Sequence, residues 1–214
     1  MHKSIADIRQ EYLLSDLSIA DLDKDPIQQF QQWFQQAVNA EIDDVNAMTL
    51  ATVDADNKPH ARIVLLKGVE DNQFIFFTNY RSAKGRDMEQ NQQVALDFFW
   101  KELQRQIRIE GKVEKISSEA STLYFQSRPR ESQLGAWASF QSETLESREV
   151  LEQRFANLKQ QYENQEIPKP SHWGGYAVIP NRIEFWQGRM NRLHDRFAFT
   201  RNTSGEWELT RLNP

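Results

Sequence analysis

Three groups of residues in this chain have the types and spacing of a binding or catalytic site. The first is Trp186 to Arg196, W-Q-G-R-M-N-R-L-H-D-R. It carries Arg189, Arg192, Arg196 and His194 against one carboxylate, Asp195, in a chain of net charge -5 with only four histidines. The run follows an alternating, strand-like stretch, Arg182 to Trp186, and contains Gly188, so its polar side chains emerge from a sheet onto a loop, where binding groups concentrate. Such a cationic island either holds an anionic partner or consists of solvated loop charges. In the second group Tyr124 and Arg128 stand four residues apart on one helix face. Pro129 disfavours helical geometry at Arg128 and ends that helix, and Ser132 begins the next turn. A Tyr hydroxyl, an Arg fork and a Ser hydroxyl can donate to one oxyanion, and phosphate fits them best; the alternative is a capped turn paired at the surface. The third is Arg62-Ile63-Val64-Leu65-Leu66-Lys67, an apolar strand bracketed by two cations. Alternation sends Arg62, Val64 and Leu66 to one face and Ile63, Leu65 and Lys67 to the other. The two charges either serve two anions or snorkel to water from a buried strand.

Composition prunes the alternatives. The absence of cysteine excludes disulfides, thiol catalysis and thiolate metal sites. His2, His60, His172 and His194 stand far apart, with no metal-ligand spacing, so no metal is expected. No G-x-S-x-G, G-x-x-x-x-G-K-[ST] or G-x-G-x-x-G occurs, which disfavours serine hydrolases, P-loop enzymes and Rossmann dehydrogenases. The acidic balance argues against nucleic acid. No apolar run is long enough to span a bilayer and the N-terminus lacks a signal-peptide core, so a cytoplasmic protein with no membrane partner is expected.

The elements that must hold these residues follow from periodicity. The pattern predicts a short helix over Ser4–Leu14 whose Arg9 and Tyr12 are either surface residues or part of a lid. A second helix is capped by Asp25 with Pro26 at its first position and carries Ile27, Phe30, Phe34 and Val38 as its core stripe. Strand-like runs follow at 48–53, 61–69 and 74–77, separated by polar turns. Ser82 opens a helix to Asn91, strands recur at 94–100 and 104–116, and Ser117 opens the Tyr124 helix. Glu143–Asn164 reads as the longest helix. Strands at 173–179, 182–186, 196–200 and 206–212 close the chain. This is α+β, seven or so antiparallel strands closing or partly closing a barrel, with flanking helices. Strands from both ends of the chain make one domain over 1–214 the expectation, with 1–20 as a mobile N-terminal segment.

R-I-V-L-L-K at Arg62 to Lys67, F-T-N at Phe77 to Asn79, S-R-P-R-E-S-Q-L-G-A-W at Ser127 to Trp137, Q-S at Gln141 and Ser142, and F-W-Q-G-R-x-N-R-L-H-D-R at Phe185 to Arg196 occur in order. Together they resemble the pyridoxine (pyridoxamine) 5'-phosphate oxidase family. The resemblance runs from about Arg9 to the C-terminal Leu212-Asn213-Pro214.

That resemblance implies a homodimeric, FMN-binding split β-barrel, antiparallel and Greek-key-like. The implied reaction is oxidation of pyridoxine 5'-phosphate or pyridoxamine 5'-phosphate to pyridoxal 5'-phosphate, with O2 reduced to H2O2. It assigns to the flavin Arg62, Ile63, Val64, Leu65, Leu66, Lys67, Phe77, Thr78 and Lys84, completed from the partner subunit by Gln106, Gln141, Ser142, Trp186 and Arg196. It assigns to the substrate phosphate Lys67, Tyr124, Arg128 and Ser132, and to the substrate ring Arg192, Leu193 and His194, with Arg9 and Tyr12 covering it. Arg192 and His194 are the catalytic pair, positioning the substrate and assisting proton movement while hydride leaves C4' for flavin N5. Ala83 stands where some relatives have arginine, and Arg81 lies two residues earlier. A nicotinamide-driven flavin reductase and a non-catalytic carrier of FMN or pyridoxal phosphate are the rival readings.

Overall fold

Asp25 and Pro26 start the first long helix as their chemistry requires. In the computed structural model, which describes residues 4–5, 11–12 and 14–214, helix α1 (Pro26–Asn39) is capped by the Asp25 carboxylate, which accepts the Ile27 N–H at 2.9 Å. The stripe it buries is Ile27, Phe30, Trp33 and Ala37. Phe34 is only half-buried and Val38 is 41% exposed, so the core face is rotated from the one expected. Trp33 draws that face inward: the Arg105 guanidinium lies 4.3 Å above its ring and Phe185 meets it edge-on at 5.3 Å. The helix expected over Ser4–Leu14 lies largely outside the described residues, and Arg9 lies outside them entirely.

Nine strands follow: β1 (Ala47–Val53), β2 (Pro59–Leu65), β3 (Gly68–Glu70), β4 (Gln73–Asn79), β5 (Gln93–Trp100), β6 (Arg105–Lys115), β7 (Trp173–Gln187), β8 (Asp195–Arg201) and β9 (Trp207–Leu212). They form one sheet in the order β2-β1-β5-β6-β7-β4-β3, with β8 pairing β7 and β9 pairing β8. The run expected as one strand over 61–69 breaks at Leu66 and Lys67. There the Lys67 N–H turns to the Ile75 carbonyl at 2.8 Å, and β3 and β4 close a two-residue hairpin whose Asp71 and Asn72 both have positive φ. The last-quarter strands expected at 173–179 and 182–186 are one continuous β7. Pro180 has no N–H to give a ladder, yet its carbonyl accepts from Arg201 Nε at 3.2 Å and the strand runs on.

Three further helices lie between β4 and β7 beyond α2 (Ala83–Gln90): α3 (Ser118–Ser127), α4 (Arg130–Ala138) and α5 (Arg148–Gln161). Ser82 caps α2 by accepting the Gly85 N–H at 3.3 Å, and Ser117 caps α3 by accepting the Ala120 N–H at 3.0 Å. Arg128 ends α3 with an extended ψ of 151°, as the following proline demands. Helix α5 begins five residues later than expected and buries no residue fully, so its apolar positions form a half-buried side.

The chain forms two compact units assembled from separated segments: Met1–Thr49, Ala95–Glu110 and Pro180–Pro214 in one, Leu50–Val94 and Gly111–Ile179 in the other. The first has an aromatic core of Phe30, Trp33, Phe98, Trp100, Phe185, Phe197 and Phe199. In the second, Phe125, Leu134, Ile167 and Trp173 form a core cluster against which Phe77, Tyr124 and Trp137 pack. No helix among the described residues is long and apolar enough to cross a membrane.

Candidate functional site

The second unit contains a cavity of about 480 Å³ bounded by the end of β2, the break after it, the end of β4, the start of α2, and the α3–α4 junction. Its lining includes Ile63, Val64, Leu65, Lys67, Phe77, Thr78, Lys84, Tyr124, Arg128, Ser132 and Gln141. Eleven of the residues singled out from sequence are thus brought to one cavity. Three of them, Lys67, Lys84 and Arg128, are cations; no Asp or Glu lines the cavity, and none of the three has an ion-pair partner among the described residues.

An aromatic stack sets the back wall. Phe77 and Tyr124 lie 3.8 Å apart at 17°, and Phe77 and Trp173 5.4 Å apart at 12°. The Arg128 guanidinium sits 4.6 Å over the Trp173 ring, and its Nη1 is buried with no hydrogen-bond partner. Burial depresses its basicity and the neighbouring Tyr124 opposes that shift. A desolvated fork with an unused donor costs free energy unless an acceptor arrives, so this arginine is poised for an anion. Lys84, in the first turn of α2, is depressed by burial and then by Arg62, with Asp87 opposing. Its Nζ donates to Gln141 Oε1 at 2.9 Å, and the Thr78 hydroxyl donates to the same oxygen at 3.3 Å. Gln141, which the resemblance gives to the partner subunit, therefore shares this cavity within one chain.

Arg62, Leu66 and Ser142 do not line it. Arg62 folds back on its own sheet, donating through Nη1 to the Thr52 hydroxyl at 2.6 Å and the Leu50 carbonyl at 3.1 Å, with Asp87 3.7 Å from Nη2. Leu66 is buried in the core, and Ser142 is exposed with φ 72°. Arg81 lines a separate cavity of about 50 Å³ with Phe140 and His172; Gln141 borders both.

The remaining residues belong to the first unit. His194 lies 4.6 Å from the Trp186 ring and 5.7 Å from Tyr12, and Tyr12 meets Trp186 edge-on at 5.6 Å. Gly188 permits this: a Cβ there would lie 2.8 Å from Tyr12 Cγ. Burial, then Arg192 and Arg196, hold the His194 imidazole below its ordinary pKa, with Asp195 opposing. Arg192 and Leu193 are exposed, and Asn191 and Arg192 both adopt positive φ, 57° and 62°. Leu193 and Tyr12 line a cavity of about 510 Å³ with Asp16 and Arg189. Arg196 donates through Nε and Nη2 to Glu184 Oε1 at 2.8 and 2.7 Å and through Nη1 to the Asn213 carbonyl at 2.9 Å. Burial raises Glu184, but Arg196, Arg182 and Arg108 outweigh it and leave the carboxyl below the usual range. Gln106 Nε2 donates to Asp97 at 2.7 Å.

Sequence reasoning passed over Trp173, Glu184 and Asp97. Trp173 follows a proline-rich linker, a signal for a boundary and not for a wall. Glu184 was legible only once β7 and β8 are paired, since Arg196 stands opposite Trp186 and Glu184 is two residues along on the same face. No group of three or more potential metal ligands occurs among the described residues.

Two family descriptions match the chain: "Pyridoxamine 5'-phosphate oxidase" over residues 34–162 and "Pyridoxine 5'-phosphate oxidase C-terminal dimerisation region" over residues 173–214. A pyridoxine/pyridoxamine 5'-phosphate oxidase of Leptospira interrogans is 56% identical over 214 residues, covering 100% of both chains. One of Cupriavidus necator is 51% identical over 210 residues, covering 98% of this chain and 99% of its own. Among solved structures, PhzG from Burkholderia lata, in complex with tetrahydrophenazine-1-carboxylic acid, superposes with a TM-score of 0.86 at 28% identity, covering 91% of this chain and 95% of that one. A pyridoxamine 5'-phosphate oxidase-related, FMN-binding protein of Nostoc punctiforme shares the fold, with a TM-score of 0.72 at 18% identity and coverage of 90% and 100%. The α+β split-barrel fold expected from sequence agrees with both.

Proposed function

The chain belongs to the pyridoxine/pyridoxamine 5'-phosphate oxidase family, an oxidoreductase family, and from that membership we propose that it oxidises pyridoxine 5'-phosphate or pyridoxamine 5'-phosphate to pyridoxal 5'-phosphate as an FMN-dependent homodimer. The observation that carries the substrate class is the cavity with Lys67, Lys84 and Arg128 on its wall and no carboxylate. A cavity so charged favours an anionic occupant and fits phosphate groups.

The residues present fit the flavin. Lys67 and Lys84 on a wall without a carboxylate suit its phosphate, while the apolar edge of β2, with Ile63 64% exposed, offers a surface to its aromatic ring. Ile63, Val64, Leu65, Lys67, Phe77, Thr78, Lys84 and Gln141 would hold FMN, with Gln106, Trp186 and Arg196 completing its site in the dimer. FMN, once bound, would supply the two-electron acceptor for the C4' hydride, with O2 as the final oxidant and H2O2 as its product.

The chain's own work is placement. Arg128, Tyr124, Ser132 and Lys67 grip the substrate phosphate, and fixing that end limits the positions open to C4'. The stacked Tyr124, Phe77 and Trp173 keep Arg128 from swinging into water, which strengthens its bonds to the phosphate. Arg192 and His194 meet the ring, and the hydroxyl or ammonium proton is released as C4' becomes trigonal. The amine substrate's imine then takes up water and releases ammonia.

The test is a single assay. FMN-loaded protein given pyridoxine 5'-phosphate in air should produce aldehyde and peroxide in equal amounts. A protein that binds FMN but forms no aldehyde is a carrier, and the oxidase reading fails.

A further inference from the structure

Arg189 is the one arginine of the 186–196 loop that neither the flavin nor the substrate claims, yet it is the most fully engaged with its own loop. Its guanidinium is held between Asp16 at 3.3 Å and Asp195 at 3.2 Å. Asp195 is itself buried, receiving Leu17 N–H on Oδ2 at 3.2 Å and Arg211 on Oδ1 at 2.6 Å. On the other side Gly188 N–H is tied to the Gln104 carbonyl at 2.8 Å. The backbone between these anchors has little freedom, and its Arg189 N–H points at His194 Nδ1, 3.0 Å away.

That bond decides which nitrogen of His194 carries hydrogen. A backbone N–H can only donate, so Nδ1 must offer its lone pair, and a neutral imidazole then has its proton on Nε2. Burial against Trp186 and Tyr12 disfavours a second proton on the ring, Arg192 and Arg196 repel it, and together they outweigh the opposing pull of Asp195. No carboxylate lies within ion-pair distance of the ring among the described residues, since the oxygens of neighbouring Asp195 are committed to Leu17, Arg189 and Arg211.

We propose that Arg189 is a positioning residue whose main-chain N–H fixes His194 as an Nε2–H donor, so that His194 serves the oxidation by donating a hydrogen bond to a substrate oxygen beside C4' and does not accept the substrate's proton. The inference rests on the oxidase reading and narrows it. As the C4'–H bond breaks with its electron pair going to FMN, the O–H bond of the alcohol breaks with its proton going to water, and the C=O bond forms.

The tautomer is measured first, by nitrogen-15 NMR of histidine-labelled, FMN-loaded protein near neutral pH, with the His194 signals identified by their loss in His194→Gln. The expected result is a protonated Nε2 and an unprotonated Nδ1; the opposite pattern overturns the proposal. In Arg189→Ala the backbone N–H stays but its two carboxylate anchors are gone, so the His194 signals should show mixed tautomers, with Arg189→Lys restoring the single one. Unchanged signals in Arg189→Ala overturn its positioning role. In anaerobic stopped flow, His194→Ala should slow flavin reduction by pyridoxine 5'-phosphate roughly tenfold or more, the worth of one hydrogen bond. His194→Gln, whose carboxamide offers an N–H near the Nε2 position, should recover most of that rate. If both variants are equally slow and the wild-type rate falls in acid with a limb that both variants lose, His194 is a proton acceptor and the proposal fails. Wild-type protein that is never reduced by this substrate would sink the oxidase reading instead, while the NMR result still decides the tautomer.

Discussion

Replacing Arg128 with methionine separates what this arginine does for the ligand from what it does for the fold. Its guanidinium covers the Trp173 ring at 4.6 Å, a contact that a methionine side chain of similar reach can keep. Its Nη1, however, is buried without a partner in the ligand-free protein, and an unsatisfied buried donor costs about 1–3 kcal/mol. Removing it should leave the ligand-free protein as stable as the wild type or more so, with Tm unchanged or raised by about 2–4 °C for each kcal/mol gained. Binding moves the other way. Hydrogen bonds to a charged group contribute about 1.5–3 kcal/mol each, so losing a two-pronged contact to phosphate should cost at least about 3 kcal/mol. That is on the order of a 100-fold weaker substrate. The assay is the substrate dependence of anaerobic flavin reduction, run beside thermal melts of the same preparations and with unphosphorylated pyridoxine as control. The phosphate ester should lose about 100-fold while pyridoxine is unaffected. A variant that melts several degrees lower and binds the ester normally would show that Arg128 is a structural residue, and the anion-site argument would collapse.

Other consequences are open to simpler measurements. Glu184→Gln removes the carboxylate from among Arg108, Arg182 and Arg196, of which the first two keep Glu110, and should cost about 1.5–3 kcal/mol at neutral pH, read by chemical denaturation. Because the folded-state pKa of Glu184 lies below its unfolded value, its contribution is present above the ordinary glutamate range and fades as pH falls through the folded value. The stability gap between variant and wild type should therefore shrink in acid. Gly85→Ala would put a Cβ 2.2 Å from the Tyr80 carbonyl oxygen, so the start of α2 must shift; a lower Tm and weaker FMN retention are expected, the latter because Lys84 moves with it. Ser82→Ala removes the α2 cap and should lower stability by about 1 kcal/mol, measurable as a Tm decrease with the fold intact.

Local chemistry was legible from sequence and long-range register was not. Asp25-Pro26, Ser82, Ser117 and Arg128-Pro129 each set a helix end through bonds within a few residues, and each boundary fell where these residues put it. The α1 stripe was displaced because a tryptophan at position 33 has more surface to bury than the period alone weighs. Pro180 reads as a strand break, yet a carbonyl bond from Arg201, 21 residues away, lets β7 continue. The gathering of Tyr124, Arg128 and Ser132 at one cavity was legible because the end of α3 and the start of α4 carry all three, although Ser132, expected in a turn, lies within α4. Arg62 shows the converse: its type and place mark a ligand contact, but Thr52 accepts from its Nη1 and Asp87 pairs with its charge, and neither is near it in sequence.

The interleaving of the two units bears on how the chain is made. Every residue of the unit holding the basic cavity has left the ribosome's catalytic centre once Ile179 is added, whereas the other unit needs Pro180–Pro214 as well as segments from the N-terminal half. During synthesis the basic cavity is therefore the first to have its full complement of residues. Arg196, already paired with Glu184, gains its remaining bond only when Asn213 supplies its carbonyl. Loss of Asn213 would thus leave Tyr124, Arg128 and Ser132 untouched and remove the carbonyl that ties Arg196 of β8 to the segment after β9.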